Sequence, residues 1–422
     1  MLSSMIFRST FRTFRNVRIQ SLYSSSFITS SELKQFTKIS SVSPRLIWGT
    51  SHQLVKYYSS NTGNTPNASE FSQDDQSRET KIRRYKKIFS TLLFAGTLVA
   101  VLFGRRRKMY EKEENFKGCD RLPVDNNFRG NHKEYYRCGK DTRTGKEGCV
   151  VPVQMIKDGT LKAIKKFKVQ PDDIFVASFP KCGTTWVQEI VYLIMTDLNF
   201  GKASEKVMET RFPYLEYPYP GLASVVKQPS PRFIKTHLPL EFLPDDTLSA
   251  KVIYITRNPK DTVVSYFHFS RMLAFSSYQG SFEEFSRKFK KDELPYCPFF
   301  GHVNSFVKEK DNPNLLIITY EELTRNPAEV IRKIGKFLDK PLSDSDVELL
   351  VEHTSFSRMA ANPSVNYSHW DEFGIRNKGE ENFMRKGKVG DWRNYFSEKS
   401  NNEFESWVKE NNRTGFNFEF DV

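Results

Sequence analysis

A chain of 422 residues, 38% hydrophobic and 27% charged, is long enough for one large domain with extensions. Its formal charge of +14 sits almost wholly in residues 1–108, which hold 18 Lys and Arg against 5 Asp and Glu; the remaining 314 residues hold 46 against 45. A nucleic-acid-binding domain carries its basic footprint on itself, so this distribution argues against nucleic acid as a partner.

Residues 1–58 carry eight basic residues, one acid, Glu32, and many Ser and Thr. Phe7, Phe11 and Phe14 share one helical face, with Arg8, Arg12, Arg15 and Arg18 beside them. An Arg-rich, Ser-rich, acid-poor amphipathic start is the composition of a mitochondrial presequence. Residues 59–87 read as a polar linker. Residues 88–104, IFSTLLFAGTLVAVLFG, run 17 positions without a charge between two basic clusters, Arg83 to Lys87 and Arg105 to Lys108. As a helix the run is about 25 Å long. Long basic side chains can snorkel to both interfaces and make up the difference from a ~30 Å hydrocarbon core. A single-pass membrane anchor is expected here, and with the presequence it places the chain in a mitochondrial membrane. The alternatives are the cytoplasm and, less so, the Golgi, where the sequons at Asn366 and Asn412 would matter. Residues 105–150 read as a second linker. Cys119, Cys138 and Cys149 fall in it, and five cysteines in all, with no CxxC pair, read as free thiols rather than a disulfide or a zinc site.

From 151 the pattern changes. Short apolar runs, at 173–179, 232–237, 251–257 and 314–320, alternate with helical patterns. Strands apolar at nearly every position are buried on both faces, so 151–422 is expected to be a single α/β domain with a central, mainly parallel sheet flanked by helices.

Three motifs in this domain bear on chemistry. SFPKCGTTW (178–186) follows a strand and opens a helix with an apolar stripe of Val187, Ile190, Val191, Ile194 and Leu198. Backbone N–H groups and the helix dipole at such a junction attract an anion, and Lys181, Thr184 and Thr185 add a charge and two hydroxyl donors. Lys precedes Gly, so the loop is P-loop-like without being a Walker A sequence. Arg257 follows the strand at 251–256, with Ser265 eight residues on, and the pair suits a second phosphate; a plain ion pair with Asp261 is the bland alternative. RKGKVGDW (385–392) is a flexible basic loop.

Together these segments resemble the cytosolic-type family of sulfotransferases, which use 3'-phosphoadenosine 5'-phosphosulfate (PAPS) as donor. The resemblance continues through LEYPYPGL (215–222), KTHLP (235–239), ITYEEL (318–323) and HTSF (353–356), and covers about 151–422. It implies a sulfonate transfer from PAPS, a co-substrate, to a hydroxyl or amine of a small-molecule acceptor, with PAP as product and no metal. It also implies roles for individual residues. Lys181, Cys182, Gly183, Thr184 and Thr185 would hold the 5'-phosphosulfate. Trp186 and Phe356 would sandwich the adenine, with Tyr320 and Thr354 near its edge. Arg257, Ser265, Arg385, Lys386 and Gly387 would bind the 3'-phosphate. His237 would be the catalytic base, with Lys181 and Lys235 close to the sulfonate.

Two positions depart from the family pattern. Cys182 stands where Ser is commonest, and a helix N-terminus could make it an oxidisable thiol. The family's dimerisation motif, KxxxTVxxxE, falls on Arg393, Ser397, Glu398 and Asn402 and is degraded, which puts the homodimer in doubt. Lys181, Trp186 and His237 are all present, which speaks against a non-catalytic PAPS-binding protein; a nucleotide kinase lacks its Walker A loop, and a Golgi-type membrane sulfotransferase is the remaining alternative.

Overall fold

The computed structural model describes residues 115–420 except 132, 141–146 and 219. The chain divides into two units, Met1–Leu98 and Val99–Val422, and every described residue belongs to the second. The expected presequence, first linker and membrane span therefore lie outside the described residues. Among the described residues no helix is long and apolar enough to cross a membrane, and the expected single-pass anchor is not among them.

The apolar runs form a four-stranded parallel sheet of β4 (Ile174–Ala177), β5 (Phe233–Thr236), β6 (Lys251–Thr256) and β7 (Leu315–Thr319), in the order β5-β4-β6-β7. Alternation splits each strand between two apolar layers. Phe175, Ala177, Ile234, Val252 and Tyr254 enter one; Ile174, Val176, Phe233, Ile253 and Ile255 enter the other.

Helices cover both faces, as the reading of an α/β domain requires. Helix α1 (Thr184–Met195) buries Val187, Ile190, Val191 and Ile194 in the second layer. Leu198, expected to extend the stripe, lies beyond the helix end with a left-handed φ of 57°. Helix α2 (Pro259–Met272) starts at a strong stop–start signal: the Asn258 side chain accepts the Asp261 N–H at 2.8 Å, and Pro259 supplies a preset φ. Helices α3 (Phe282–Lys290) and α4 (Phe299–Val307) pack beside it in the first layer. Helices α5 (Pro327–Phe337) and α6 (Asp344–His353) close the second layer, and α7 (Glu398–Asn411) is capped by Ser397 and packs Phe404 and Trp407 against Phe289.

Upstream, the structure departs from the expected linker. Residues 119–152 form an antiparallel sheet, β1 (Cys119–Arg121), β2 (Tyr135–Cys138) and β3 (Cys149–Pro152). Its register puts Cys119 directly opposite Cys138, with Cα atoms 4.0 Å apart, and the two are disulfide-bonded. The reading of these two as free thiols is corrected: linear spacing does not show a cross-strand pairing. Cys149, Cys182 and Cys297 are free and buried.

Candidate active site

The connection from β4 runs to β5 on one side and that from β6 to β7 on the other, so the loops after the adjacent strands β4 and β6 part from each other. The carboxyl ends of strands at such a switch point form a crevice where α/β sheets bind ligands. The loop 178–183 and Arg257 stand at that crevice.

In the first loop Lys181 and Gly183 take left-handed backbone, with φ of 71° and 101°. A Cβ on Gly183 would lie 2.8 Å from the Tyr320 ring, so only glycine allows the turn to approach it. The hydroxyls of Ser178 and Thr184 are 2.6 Å apart and tie the loop to the first turn of α1. The Lys181 ammonium lies over the rings of Phe383 and Phe269, at 3.9 and 4.5 Å. Burial, with the charges of Lys235, Arg257 and Arg385, lowers its pKa to about 7. Cys182 turns its side chain into the core toward the Thr262 hydroxyl, 3.6 Å away. Burial pushes that thiol up to about 12, against the expected reactive thiol: desolvation outweighs the helix terminus. Any contribution of Cys182 to anion binding is confined to its backbone.

Three cations meet on the other side of the crevice. The Arg257 guanidinium stacks on Tyr320 at 4.2 Å and donates to the Lys388 carbonyl at 2.8 Å. Its Nη2 is 3.8 Å from Asp261, but the Asp261 carboxylate is taken up by the N–H groups of Gly390 (2.7 Å) and Trp392 (3.0 Å) and the Asn258 amide. Arg385 and Lys386 both reach Asp391, at 2.5 and 2.7 Å. Burial works against that carboxyl, yet hydrogen bonds from Lys386, Arg385 and Asn394 hold it down at about 2. Arg257 Nε and Arg385 Nη1 are buried without a hydrogen-bond partner in the protein, as befits donors turned toward an anion. Gly387, with φ 65°, passes so near Phe356 that a Cβ would lie 2.2 Å from the ring. Trp186 meets Tyr320 edge-on at 5.7 Å, and the Thr354 hydroxyl bonds the Leu350 carbonyl at 2.7 Å.

His237 follows β5, beside the first loop. Its Nδ1 lies 2.7 Å from the Ser178 carbonyl oxygen and 3.3 Å from the Ser178 hydroxyl. A carbonyl only accepts, so the proton sits on Nδ1 and Nε2 is left as an acceptor. Burial, then the charge of Lys235, hold the His237 pKa well below its usual value, so the ring is neutral. Lys235 lies over the Tyr214 ring at 4.5 Å and is lowered to about 8 by burial, against the pull of Glu209 and Glu216.

Several residues of this region are not marked by the motifs. Glu216 accepts the His237 backbone N–H at 2.5 Å; burial raises it to about 7. His302 Nε2 donates to the His237 carbonyl at 3.0 Å, and the Tyr254 hydroxyl donates to His302 Nδ1 at 3.0 Å. Tyr214 and Tyr296 share a 2.7 Å hydroxyl bond and turn their rings edge-on to His237. The available sign in the sequence was adjacency: Glu216 and Tyr217 sit within the LEYPYPGL segment.

One cavity of about 1020 Å³ is lined by Lys181, Gly183, Thr184, Thr185, Trp186, Lys235, His237, Arg257, Ser265, Tyr320, Thr354, Phe356, Arg385, Lys386 and Gly387. All the expected site residues except Cys182 therefore meet in it. His268 and His353 serve structure, paired with Tyr395 (2.7 Å) and Glu189 (3.1 Å).

Comparison with known proteins bears on the same region. A family model described as a sulfotransferase domain matches residues 171–415. Mouse sulfotransferase 1B1 is 40% identical over 253 residues, 58% of this chain and 84% of that protein. Human sulfotransferase 1E1 is 39% identical over 257 residues, 58% of this chain and 87% of that protein. Among solved structures, retinol dehydratase in a complex with retinol and PAP superposes with a TM-score of 0.63 at 31% identity, over 73% of this chain and 96% of that one. Its complex with androsterone and PAP gives 0.62 at 30% identity over the same shares. These likenesses are to the cytosolic-type sulfotransferases and overturn the expected location: the mitochondrial membrane reading, drawn from residues 1–104 alone, is withdrawn.

Proposed function

Because the chain belongs to the sulfotransferase family, as a PAPS-dependent enzyme acting on small molecules, we propose that it transfers the sulfonate to a hydroxyl or amine of a lipophilic acceptor, with His237 as the base. The observation that carries this reading is the His237 Nδ1 contact with the Ser178 carbonyl, which presents an unprotonated Nε2 to the same cavity as the basic loops.

In this reading Lys181, Thr184, Thr185 and the backbone of Cys182 and Gly183 hold the 5'-phosphosulfate. Trp186 and Phe356 flank the adenine, with Tyr320 and Thr354 at its edge. Arg257, Ser265, Arg385, Lys386 and Gly387 take the 3'-phosphate. His237 Nε2 removes the proton of the acceptor as its oxygen or nitrogen bonds to sulfur and the bond from sulfur to the bridging phosphate oxygen breaks. Lys181 and Lys235 offset the negative charge that grows on the sulfonate and the departing phosphate. Fixed cations and alignment dominate such in-line displacements. Ring walls from Tyr214, Tyr217, Phe269 and Tyr296 favour a lipophilic acceptor, and the related retinol dehydratase structures hold retinol and androsterone, both lipophilic alcohols.

The test is an acceptor screen with labelled PAPS on the full-length protein, paired with His237→Ala. Transfer to at least one lipophilic alcohol or phenol is expected. The variant should lose ~100–10,000-fold in kcat while PAP binding by calorimetry persists. Unchanged turnover in the variant would refute the base assignment.

A further inference from the structure

One wall of the cavity does not come from the region matched by the family model. Tyr135 on β2 faces Pro152 at the end of β3, and both line the cavity, as do Gln154 and Met155 in the helical turn that follows. All four precede residue 171, where the sulfotransferase match begins.

The same sheet holds a second wall in place. Between β1 and β2, the N–H groups of Arg129 and Gly130 donate to the carbonyls of Ser277 and Ser276 at 3.2 and 3.1 Å, and the Gln279 N–H donates to the Asn127 carbonyl at 2.8 Å. Gly130 packs so tightly that a Cβ there would lie 2.1 Å from the Phe275 carbonyl group. Phe128 stands edge-on between Tyr135 (5.6 Å) and Tyr278 (5.1 Å). Phe275 and Ser276 line the cavity, with Phe275 edge-on to Tyr217 at 6.4 Å. The 275–279 segment is therefore held from two sides, by the end of α2, whose Leu273 and Ser270 carbonyls accept the Ser276, Ser277 and Tyr278 N–H groups, and by the β1–β2 connection. The Cys119–Cys138 disulfide closes that connection at its base, and Cys119 is partly exposed.

We propose that this disulfide-stapled sheet determines acceptor specificity, and that its thiol–disulfide state tunes which acceptors fit, by setting Tyr135, Met155 and Phe275 against the cavity. Two molecules of a low-molecular-weight thiol supply two electrons and two protons, join as their own disulfide, and leave Cys119 and Cys138 as thiols. β1 then loses its covalent tie. The residues assigned to PAP all lie between 181 and 387, none of them in β1–β3 or the helical turn that follows, so opening the staple acts on the acceptor wall and leaves the PAP contacts in place. The inference rests on placing the acceptor beside His237.

The full-length protein is assayed oxidised, after treatment with dithiothreitol, and as the C119S/C138S double variant. The acceptors are para-nitrophenol and a steroid alcohol, with PAP affinity measured by calorimetry. The KM of the steroid alcohol should rise about tenfold, the scale of one apolar group lost from a pocket, with PAP affinity and the KM of para-nitrophenol unchanged. Met155→Ala, which keeps the staple, should shift the same KM and guards against a double variant that fails to fold. Acceptor KM values that stay constant in the reduced protein and in Met155→Ala overturn the proposal. So does a loss of PAP affinity in step with them, which would mark the sheet as general support. Full turnover by His237→Ala would instead remove the site reading itself.

Discussion

At the scale of single residues, the site is a set of buried cations and one neutral imidazole, and each titrates away from its ordinary value for a nameable reason. As the proposed base, His237 has to be neutral to accept a proton, and burial with Lys235 lowers its pKa below the usual ~6.5. In its proposed role beside the phosphosulfate Lys181 has to be charged, and burial lowers it to about 7. The signs follow: kcat/KM for PAPS should fall on the acid side only below the ordinary histidine range, and on the alkaline side near 7, as Lys181 loses its proton. Bound PAPS brings counter-charge and raises Lys181 again, so the alkaline limb of kcat should lie higher than that of kcat/KM. Calorimetry of PAP binding at about one unit above the Lys181 pKa, in buffers of different ionisation enthalpy, should show proton uptake; no uptake would mean the lysine is already charged in the free enzyme. For the 3'-phosphate, Arg257→Ala and Lys386→Ala should weaken PAP by about 10- to 150-fold each and adenosine 5'-phosphate far less. Equal losses for both ligands in calorimetry would displace these residues from that role.

At the scale of elements, the loop 385–392 is held by a residue of the wrong charge for a phosphate site. Asp261 at the start of α2 accepts the N–H groups of Gly390 and Trp392, and Lys260 beside it lies over the Trp392 ring at 4.1 Å. Removing an acid near an anion site ordinarily strengthens anion binding. Here Asp261→Ala should weaken PAP, by about tenfold, because two charge-assisted hydrogen bonds that place Arg385 and Lys386 are lost. Tighter PAP binding by the variant would show that simple repulsion dominates. Gly183→Ala tests the other loop: a Cβ meets the Tyr320 ring and the φ of 101° is strained for alanine, so PAP affinity should fall and the melting temperature with it, by about 1–3 kcal/mol of strain. The loop after β4 was legible in the sequence because an anion-binding turn of this kind needs Lys, Gly and Thr at fixed places after a buried strand; 385–392 was legible only as adjacent cations between glycines. The β1–β3 sheet was not: β1 is three residues long with two of them exposed, and it is secured by a disulfide and by the 276–279 backbone, neither of which leaves a periodic signal. Glu216 and His302 were passed over for a related reason: each bonds the backbone of His237, a contact that no side-chain pattern in the sequence signals.

At the scale of the whole molecule, the four strands of the parallel sheet were readable as short runs apolar at most positions, because a strand covered on both faces has few places for a polar side chain. The region before 171 and the acceptor walls came only from packing. A ligand held by residues from Lys181 to Lys386 braces both apolar layers at once. PAP at about a hundred times its Kd should therefore add about 2.7 kcal/mol to global stability, seen as a single upward shift of the melting transition. Two separate transitions, one of them indifferent to PAP, would mean that the described unit does not unfold as one.

The loop after β4 and the loop 385–392 lie more than 200 positions apart in the sequence, yet they meet in one crevice. During synthesis the first half of the proposed donor site emerges from the ribosome long before the second. A nascent chain that has exposed Lys181 and Arg257 but not Arg385 and Lys386 lacks part of the proposed 3'-phosphate site, so PAP should bind it more weakly than the complete chain. The strands β4 to β7 should then register on apolar burial and backbone pairing, with PAP adding its full stabilisation only once translation has passed Lys388 and released it.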